Sequence, residues 1–375
     1  MKPLKQHGIS ELHFEVTGKC NLRCVYCYNY ACRKKNDELS LDEIKKLIKE
    51  TKEYGTKVYT LTGGEPFMRK DFFEILNELK GCYVAILSNG KVIDDDMILK
   101  IKKYPQIKEF KISLDGFNSH NEMRKGSEWK QVVRTIKNLK KNNYRVVVNT
   151  IVLEQNQKDL YKLYKSLIKL KVDRWRVDMP FVLGNYVKNK NKFLPPNPAY
   201  YTKKFAKIIG EHEKSNNSMI LEIFNLYKSQ FKPTNTITFV DNVHPCEYKR
   251  ELLSMKPNGD VIFCPSLSFP MSNYRKAGSM KRIFSEEAKH PFYALKMSDL
   301  EKCQGCRYIK ICGGGCRANA IYDFNDFTER DISACRTFPF WEKQILPVLK
   351  KSHQKFFKKL IVNEGFVPTK KFGLV

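Results

Sequence analysis

The 375-residue sequence has no apolar run approaching the length of a bilayer span, which argues against a membrane protein. Its first ten residues, MKPLKQHGIS, carry charge but no apolar stretch. They do not read as a signal peptide, and the expected location is cytoplasmic. Acidic residues are scarce: 40 Asp and Glu stand against 68 Lys and Arg, a net charge of +28. That excess suits an acidic partner such as RNA or an acidic peptide. No compact Arg-rich segment interleaved with aromatics is present, however, as nucleic-acid binders often have. Lysine is instead scattered over the amphipathic helices, the pattern of solvated faces. The most basic run, Lys350 to Lys371, reads either as a docking arm or as a solvated helix. No short-period repeat is visible.

Cysteine is abundant. Twelve cysteines in a chain without a secretory signal do not suggest a disulfide framework, and their clustering points to metal. Thiolate-rich sites select zinc or iron–sulfur clusters. Hydrophobic content of 42% and aromatic content of 12% are enough for a folded α/β domain plus a smaller one.

Strand and helix patterns alternate from residue 11 to about 182. Predicted strands are 11–16, 57–62, 83–88, 109–116, 145–153 and 174–182. Predicted helices lie between them, the first opening on Ser40 with Glu43 completing a capping box. Alternation of this kind predicts βαβ units and a parallel sheet, here a partial (β/α)6 TIM-like barrel. Residues 184–200, rich in Asn, Lys and Pro, read as a loop. The division expected is an N-terminal extension over 1–10, a barrel over 11–238, a cysteine-rich domain over 239–345, and a basic C-terminal helix or tail over 346–375.

The unusual residues of the barrel fall just after its strands. Cys20, Cys24 and Cys27, spaced C-x-x-x-C-x-x-C, follow the first. Gly63, Gly64, Glu65 and Pro66 follow the second, Ser88, Asn89 and Gly90 end the third, and Ser113, Asp115 and Gly116 end the fourth. In a parallel barrel these positions share the carboxyl-terminal mouth, where active sites are built. Three thiolates hold three irons of a four-iron cube and leave the fourth open. The glycines let backbone approach a ligand, and Glu65 offers an acceptor for an ammonium group. Ser113 and Asp115 can hydrogen-bond a ribose, and Arg124 can pair with a carboxylate. Ammonium, carboxylate and ribose together describe S-adenosylmethionine. Taken singly, the cysteine loop also suits half of a zinc site, GGEP an ordinary turn, and Glu65 or Arg124 a structural ion pair.

The run CNLRCVYCY, with Tyr26 in the usual aromatic position, resembles the cluster loop of the radical S-adenosylmethionine (SAM) enzymes, and TGGEP and SLDG are similar to that family's cofactor motifs. The resemblance implies an enzyme that reductively cleaves SAM to a 5′-deoxyadenosyl radical, which takes a hydrogen atom from a substrate. It implies SAM contacts from Tyr26, Gly63, Gly64, Glu65, Ser88, Ser113, Asp115 and Arg124, and an electron donor such as flavodoxin or ferredoxin.

Seven later cysteines form a second constellation: Cys246, Cys264, Cys303, Cys306, Cys312, Cys316 and Cys335. Seven thiolates exceed what one tetrahedral zinc or one cluster needs, so two zinc ions and two clusters are the alternatives. With CGGGCRA and DISAC, the pattern resembles the SPASM extension of radical SAM enzymes, which carries two auxiliary four-iron clusters. The resemblance implies that Cys246, Cys264 and Cys316 serve the first auxiliary cluster, and Cys303, Cys306, Cys312 and Cys335 the second. No cysteine lies between Cys246 and Cys264, which leaves the fourth ligand of the first open. Cys82 reads as a buried hydrophobe. Cys32 is unassigned.

Three reactions compete. The first is maturation of a ribosomally made peptide by a thioether or carbon–carbon crosslink, with an acidic leader and a separate leader-binding protein as expected partners. The second is a sulfatase maturase forming formylglycine, although such enzymes carry an Asp where this chain has Pro265. Small-molecule oxidation or epimerisation, of an aminoglycoside for example, stands beside them. The third is non-enzymatic: a metal-stabilised RNA-binding module, in which the cofactor motifs have no role.

Overall fold

The structure is a computed structural model that describes residues 10–29, 37–224, 226–233, 243–246, 252–267, 269–287 and 289–372. Its thirteen described strands, in chain order, are β1 (Glu11–Thr17), β2 (Arg23–Cys24), β3 (Val58–Gly63), β4 (Tyr83–Ser88), β5 (Ile107–Ser113), β6 (Arg124–Lys125), β7 (Arg145–Ile151), β8 (Arg174–Asp178), β9 (Ile220–Ile223), β10 (Tyr227–Lys228), β11 (Leu252–Met255), β12 (Asp260–Ile262) and β13 (Ser272–Asn273). Eleven form one sheet in the order β10-β9-β8-β7-β5-β4-β3-β1-β11-β12-β13. The six predicted strands are β1, β3, β4, β5, β7 and β8, and each pairs in parallel with its neighbour.

Residue type follows the two-residue period of a strand. In β5, Phe110 and Ile112 are fully buried, whereas the alternate residues Glu109, Lys111 and Ser113 line a cavity. In β1, Leu12, Phe14 and Val16 are fully buried against the helical layer. The helices complete that layer. In Trp129–Lys141, Val132, Thr135, Ile136 and Leu139 recur at helical spacing and all are buried. Each fully buried aliphatic side chain contributes roughly 1.5–3 kcal/mol. Helix Leu41–Glu53 has the expected capping box, with Glu43 N–H on Ser40 Oγ at 3.2 Å and Ser40 N–H on Glu43 Oε2 at 2.7 Å.

The sheet extends beyond the six strands at both edges. β9 adds in parallel to β8, and β11 adds in parallel to β1. β11, β12 and β13 then run antiparallel, so the cysteine-rich part is built onto the barrel's own sheet. Neither β9 nor β11 has a long local pattern; both are four residues, placed by pairing with distant strands. The expected loop over 184–200 contains a short helix, Asn185–Asn189. Helix Lys351–Leu360 lies within the basic C-terminal run. Among the described residues, no helix is long and apolar enough to cross a membrane.

Candidate active site

The loop after β1 is held on three sides. Its two-residue strand β2 pairs with β6, placing Cys24 opposite Arg124. The end of β3 presses on it from below. A Cβ on Gly64 would lie 2.0 Å from Lys19 O and 3.0 Å from Cys20 Cβ; one on Gly63 (φ +138°) would lie 2.2 Å from Thr17 O. Glycine is required at both because backbone packs on backbone. The segment 184–189 closes the third side. Asn185 N–H donates to Cys27 O at 2.7 Å, and Asn189 Nδ2 donates to Val25 O at 2.9 Å.

All three thiols of this loop face a cavity of about 790 Å³ that runs through the barrel lumen. Tyr26, Gly63, Gly64, Ser88, Ser113 and Arg124 line the same cavity. Burial pushes the Cys20 thiol up to about 11 and Cys24 up to about 12, the nearby Arg124 charge opposing it at Cys24. Thiols so placed stay protonated unless a metal replaces the proton, the condition a cluster meets. Among the described residues, no three His, Cys, Asp or Glu side chains converge as ligands of a single ion. The thiols stand instead around a wide space.

Two expected cofactor contacts lie off the cavity wall. Asp115 is fully buried. Its Oδ2 accepts from Arg124 Nε at 2.7 Å and from the Tyr26 hydroxyl, and its Oδ1 accepts from Ile151 N–H at 2.8 Å. The Arg124 guanidinium sits 5.2 Å from the Tyr26 ring centroid and 4.0 Å from Cys24 Sγ. Asp115 thus orients Arg124 and Tyr26, and Arg124 carries the polar surface that reaches the cavity. Glu65 is also fully buried, accepting from Ser88 Oγ and Asn89 N–H, both at 2.9 Å. Burial pushes its carboxyl up to about 7 against those hydrogen bonds.

Some residues that shape the site have no sequence signal of their own. Asn156 donates to Asp115 O at 2.6 Å and Ile151 O at 2.7 Å. Asp159 Oδ2 accepts from Phe117 N–H at 3.2 Å. His120 Nδ1 accepts from Asp115 N–H at 3.1 Å, and burial pushes this imidazole down to about 4. Together they fix the SLDG turn. Asp178 ends β8 facing the cavity, paired with Arg176 at 2.8 Å.

The seven later cysteines border two cavities. Cys246, Cys264 and Cys316 line the large one, on the C-terminal side, with Pro265 beside them. Cys303, Cys306, Cys312 and Cys335 line a small cavity of about 20 Å³ together with Phe338, Phe366 and Pro368, and Cys312 also lines the large one. Burial pushes Cys303 up to about 11, and Cys316 and Cys335 up to about 12. His244 sits beside Cys246, but its Nδ1 accepts from Cys246 N–H at 2.9 Å and its Nε2 donates to Phe292 O at 2.7 Å. Both ring nitrogens are committed to backbone. Cys82 is half-buried and lines neither cavity. Cys32 lies outside the described residues.

Residues 14–167 match the model of the radical SAM superfamily. Fe-coproporphyrin III synthase of Methanosarcina barkeri is 31% identical over 341 residues, covering 82% of this chain and 84% of that protein. The chain belongs to the radical SAM superfamily. It is therefore an enzyme, and the non-enzymatic RNA-binding reading falls. The superfamily binds SAM and a four-iron cluster. The Bacillus subtilis subtilosin biosynthesis protein AlbA is 33% identical over 160 residues, 41% of this chain and 36% of that one. Streptococcus suis SuiB bound to SAM superposes with a TM-score of 0.68 at 18% identity, covering 88% of this chain and 79% of SuiB. SuiB bound to its precursor peptide SuiA gives the same score. The fold is thus the radical SAM partial barrel with a SPASM-type extension.

Proposed function

We propose that this radical SAM enzyme matures a peptide by crosslinking, and that it carries three four-iron clusters. The observation that supports this reading is one cavity lined by two groups of cysteines. Cys20, Cys24 and Cys27 come to it from the barrel, and Cys246, Cys264 and Cys316 from the C-terminal part. A substrate in that space can meet both groups. The donor sets fit: a three-thiol loop for a cluster with an open iron, a second three-thiol group, and a four-thiol group. The last encloses little space, so loading it spreads those side chains.

When bound, the triad's cluster and SAM supply a 5′-deoxyadenosyl radical that takes one hydrogen atom from the substrate. The chain's residues aim that chemistry. Arg124, held by Asp115 and Tyr26, offers its guanidinium to the SAM carboxylate. Ser113 offers a hydroxyl to the ribose. Ser88, fixed by Glu65, and the Gly63–Gly64 backbone shape the rest of the pocket. The Cys246, Cys264 and Cys316 group, one thiol short of a full set among the described residues, suits a substrate thiol as its missing ligand. The absence of an acid at Pro265 disfavours the formylglycine reaction. AlbA, by its name a bacteriocin biosynthesis protein, supports a peptide substrate.

A second reading has its own support. Fe-coproporphyrin III synthase matches over most of the chain, and Lys111, Arg145, Arg174 and Arg176 line the cavity, where they can receive carboxylates. The deciding experiment incubates anaerobically reconstituted enzyme, SAM and reductant with a Cys-containing precursor peptide or with a more highly carboxylated iron tetrapyrrole from which Fe-coproporphyrin III could form. Loss of two hydrogens from the peptide, read by mass spectrometry, supports the first reading. A changed porphyrin spectrum with an unchanged peptide overturns it in favour of the second.

A further inference from the structure

The two C-terminal cysteine groups meet at one buried carboxylate. Asp331 is 2% exposed. Its Oδ2 accepts from the backbone N–H of Cys316 at 2.7 Å and from Asn319 Nδ2 at 3.1 Å. Its Oδ1 accepts from Ala334 N–H at 3.1 Å, capping helix Ile332–Phe340. That helix carries Cys335, whose own N–H donates to the Asp331 carbonyl at 3.0 Å. Cys316 borders the large cavity and Cys335 the small one. An ordinary N-cap serves only its own helix. Here the second oxygen reaches back fifteen residues to a ligand-type cysteine of the other group.

The surroundings press the carboxylate into that role. A Cβ on Gly315 (φ +76°) would lie 2.5 Å from Asp331 Cβ, so the CGGGC turn packs directly on it. Arg317, 1% exposed, does not pair with Asp331 but gives its guanidinium to the carbonyls of Phe327, at 3.0 Å, and Gly314. Three N–H donors converge on the Asp331 side chain, two on Oδ2 and one on Oδ1.

We infer that Asp331 is a positioning residue joining the two C-terminal sites. It locks the loop bearing Cys316 to the helix bearing Cys335, so the two thiol groups keep one relative placement. The tie rests on these hydrogen bonds and not on the cluster reading above.

Two variants of the full chain test this in metal-free protein. In Asp331→Ala both acceptor oxygens go, and maleimide labelling of Cys316 and Cys335 should accelerate about tenfold relative to Cys20, the scale of one lost hydrogen bond. In Asp331→Asn one acceptor oxygen remains, so one of the two cysteines should stay near its wild-type rate. Wild-type labelling rates in Asp331→Ala, or Cys316 and Cys335 accelerating together with Cys20 in Asp331→Asn, would overturn the tie.

Discussion

At the scale of single residues, the site is built from side chains whose first duty is to each other. Asp115 was a ribose contact on the sequence pattern; in the fold its two oxygens are taken by Arg124, Tyr26 and Ile151 N–H. Removing one partner of a buried ion pair strands the other charge. Asp115→Ala is therefore expected to cost about 3–5 kcal/mol and to lower the melting temperature sharply. Arg124→Gln strands the buried Asp115 carboxylate in turn, so it should cost a similar amount of stability, and it should also weaken SAM binding by calorimetry. Equal effects of the two on SAM affinity, with unchanged stability in Asp115→Ala, would refute this division of roles. Gly64→Ala tests the close approach to the cluster loop. A Cβ 2.0 Å from Lys19 O cannot be accommodated, so the loop must move, and iron bound at the triad should fall. The cysteines and glycines were legible in the sequence because their chemistry is intrinsic. Asn156, Asp159 and His120 were not, because an Asn, Asp or His that fixes a turn looks like any other until its partner is known.

At the scale of elements, the predicted βα alternation held through six strands because each carries its own two-residue period and each helix its own apolar stripe. What escaped were elements with no period to read: β2 and β6 of two residues each, the four-residue strands β9 and β11, and helix Asn185–Asn189. Their hydrogen bonds run to partners far along the chain, such as Asn189 to Val25 across 164 residues. Two outcomes belong at this scale. Replacing Cys20, Cys24 and Cys27 by Ala should abolish 5′-deoxyadenosine formation while leaving the C-terminal metal bound, since the two lie on separate elements. Persistent 5′-deoxyadenosine would count against the triad. The second concerns helix Leu41–Glu53, whose Glu43 pairs with Arg275 at 2.7 Å. The Arg275 hydrogen bond holds the Glu43 carboxyl down to about 2, below the usual 4.5. A depressed carboxyl stabilises the fold above its unfolded value and loses that contribution as pH falls through about 2. Wild-type protein should thus exceed Glu43→Gln in stability near pH 6. The gap should close by pH 2 and shrink at high salt, because the pair is exposed. A gap that grows on acidification would reverse the sign and refute the pairing.

At the scale of the whole molecule, the prediction is a metal count. Reconstituted protein should bind about twelve irons, four per cluster over three sites. Four irons with two zincs would remove the auxiliary clusters and with them the crosslinking reading. The chain's chemistry classes were set by its sequence alone. Cysteine spacing, the GGEP and SLDG runs and the strand periods are local properties, so they named a parallel barrel, a three-thiol loop and a cysteine-rich extension without any coordinates. Only the tertiary structure decided which thiols share a space. It placed Cys246, Cys264 and Cys316 on the same cavity as the triad, and gathered Cys303, Cys306, Cys312 and Cys335 at a smaller one, with Cys312 bordering both. It also turned Glu65 and Asp115 inward as braces and set Asp331 between two thiol groups. The physical reason is range: residue chemistry and periodicity act over a few positions, whereas the shared cavity depends on β11 pairing with β1 across some 240 residues.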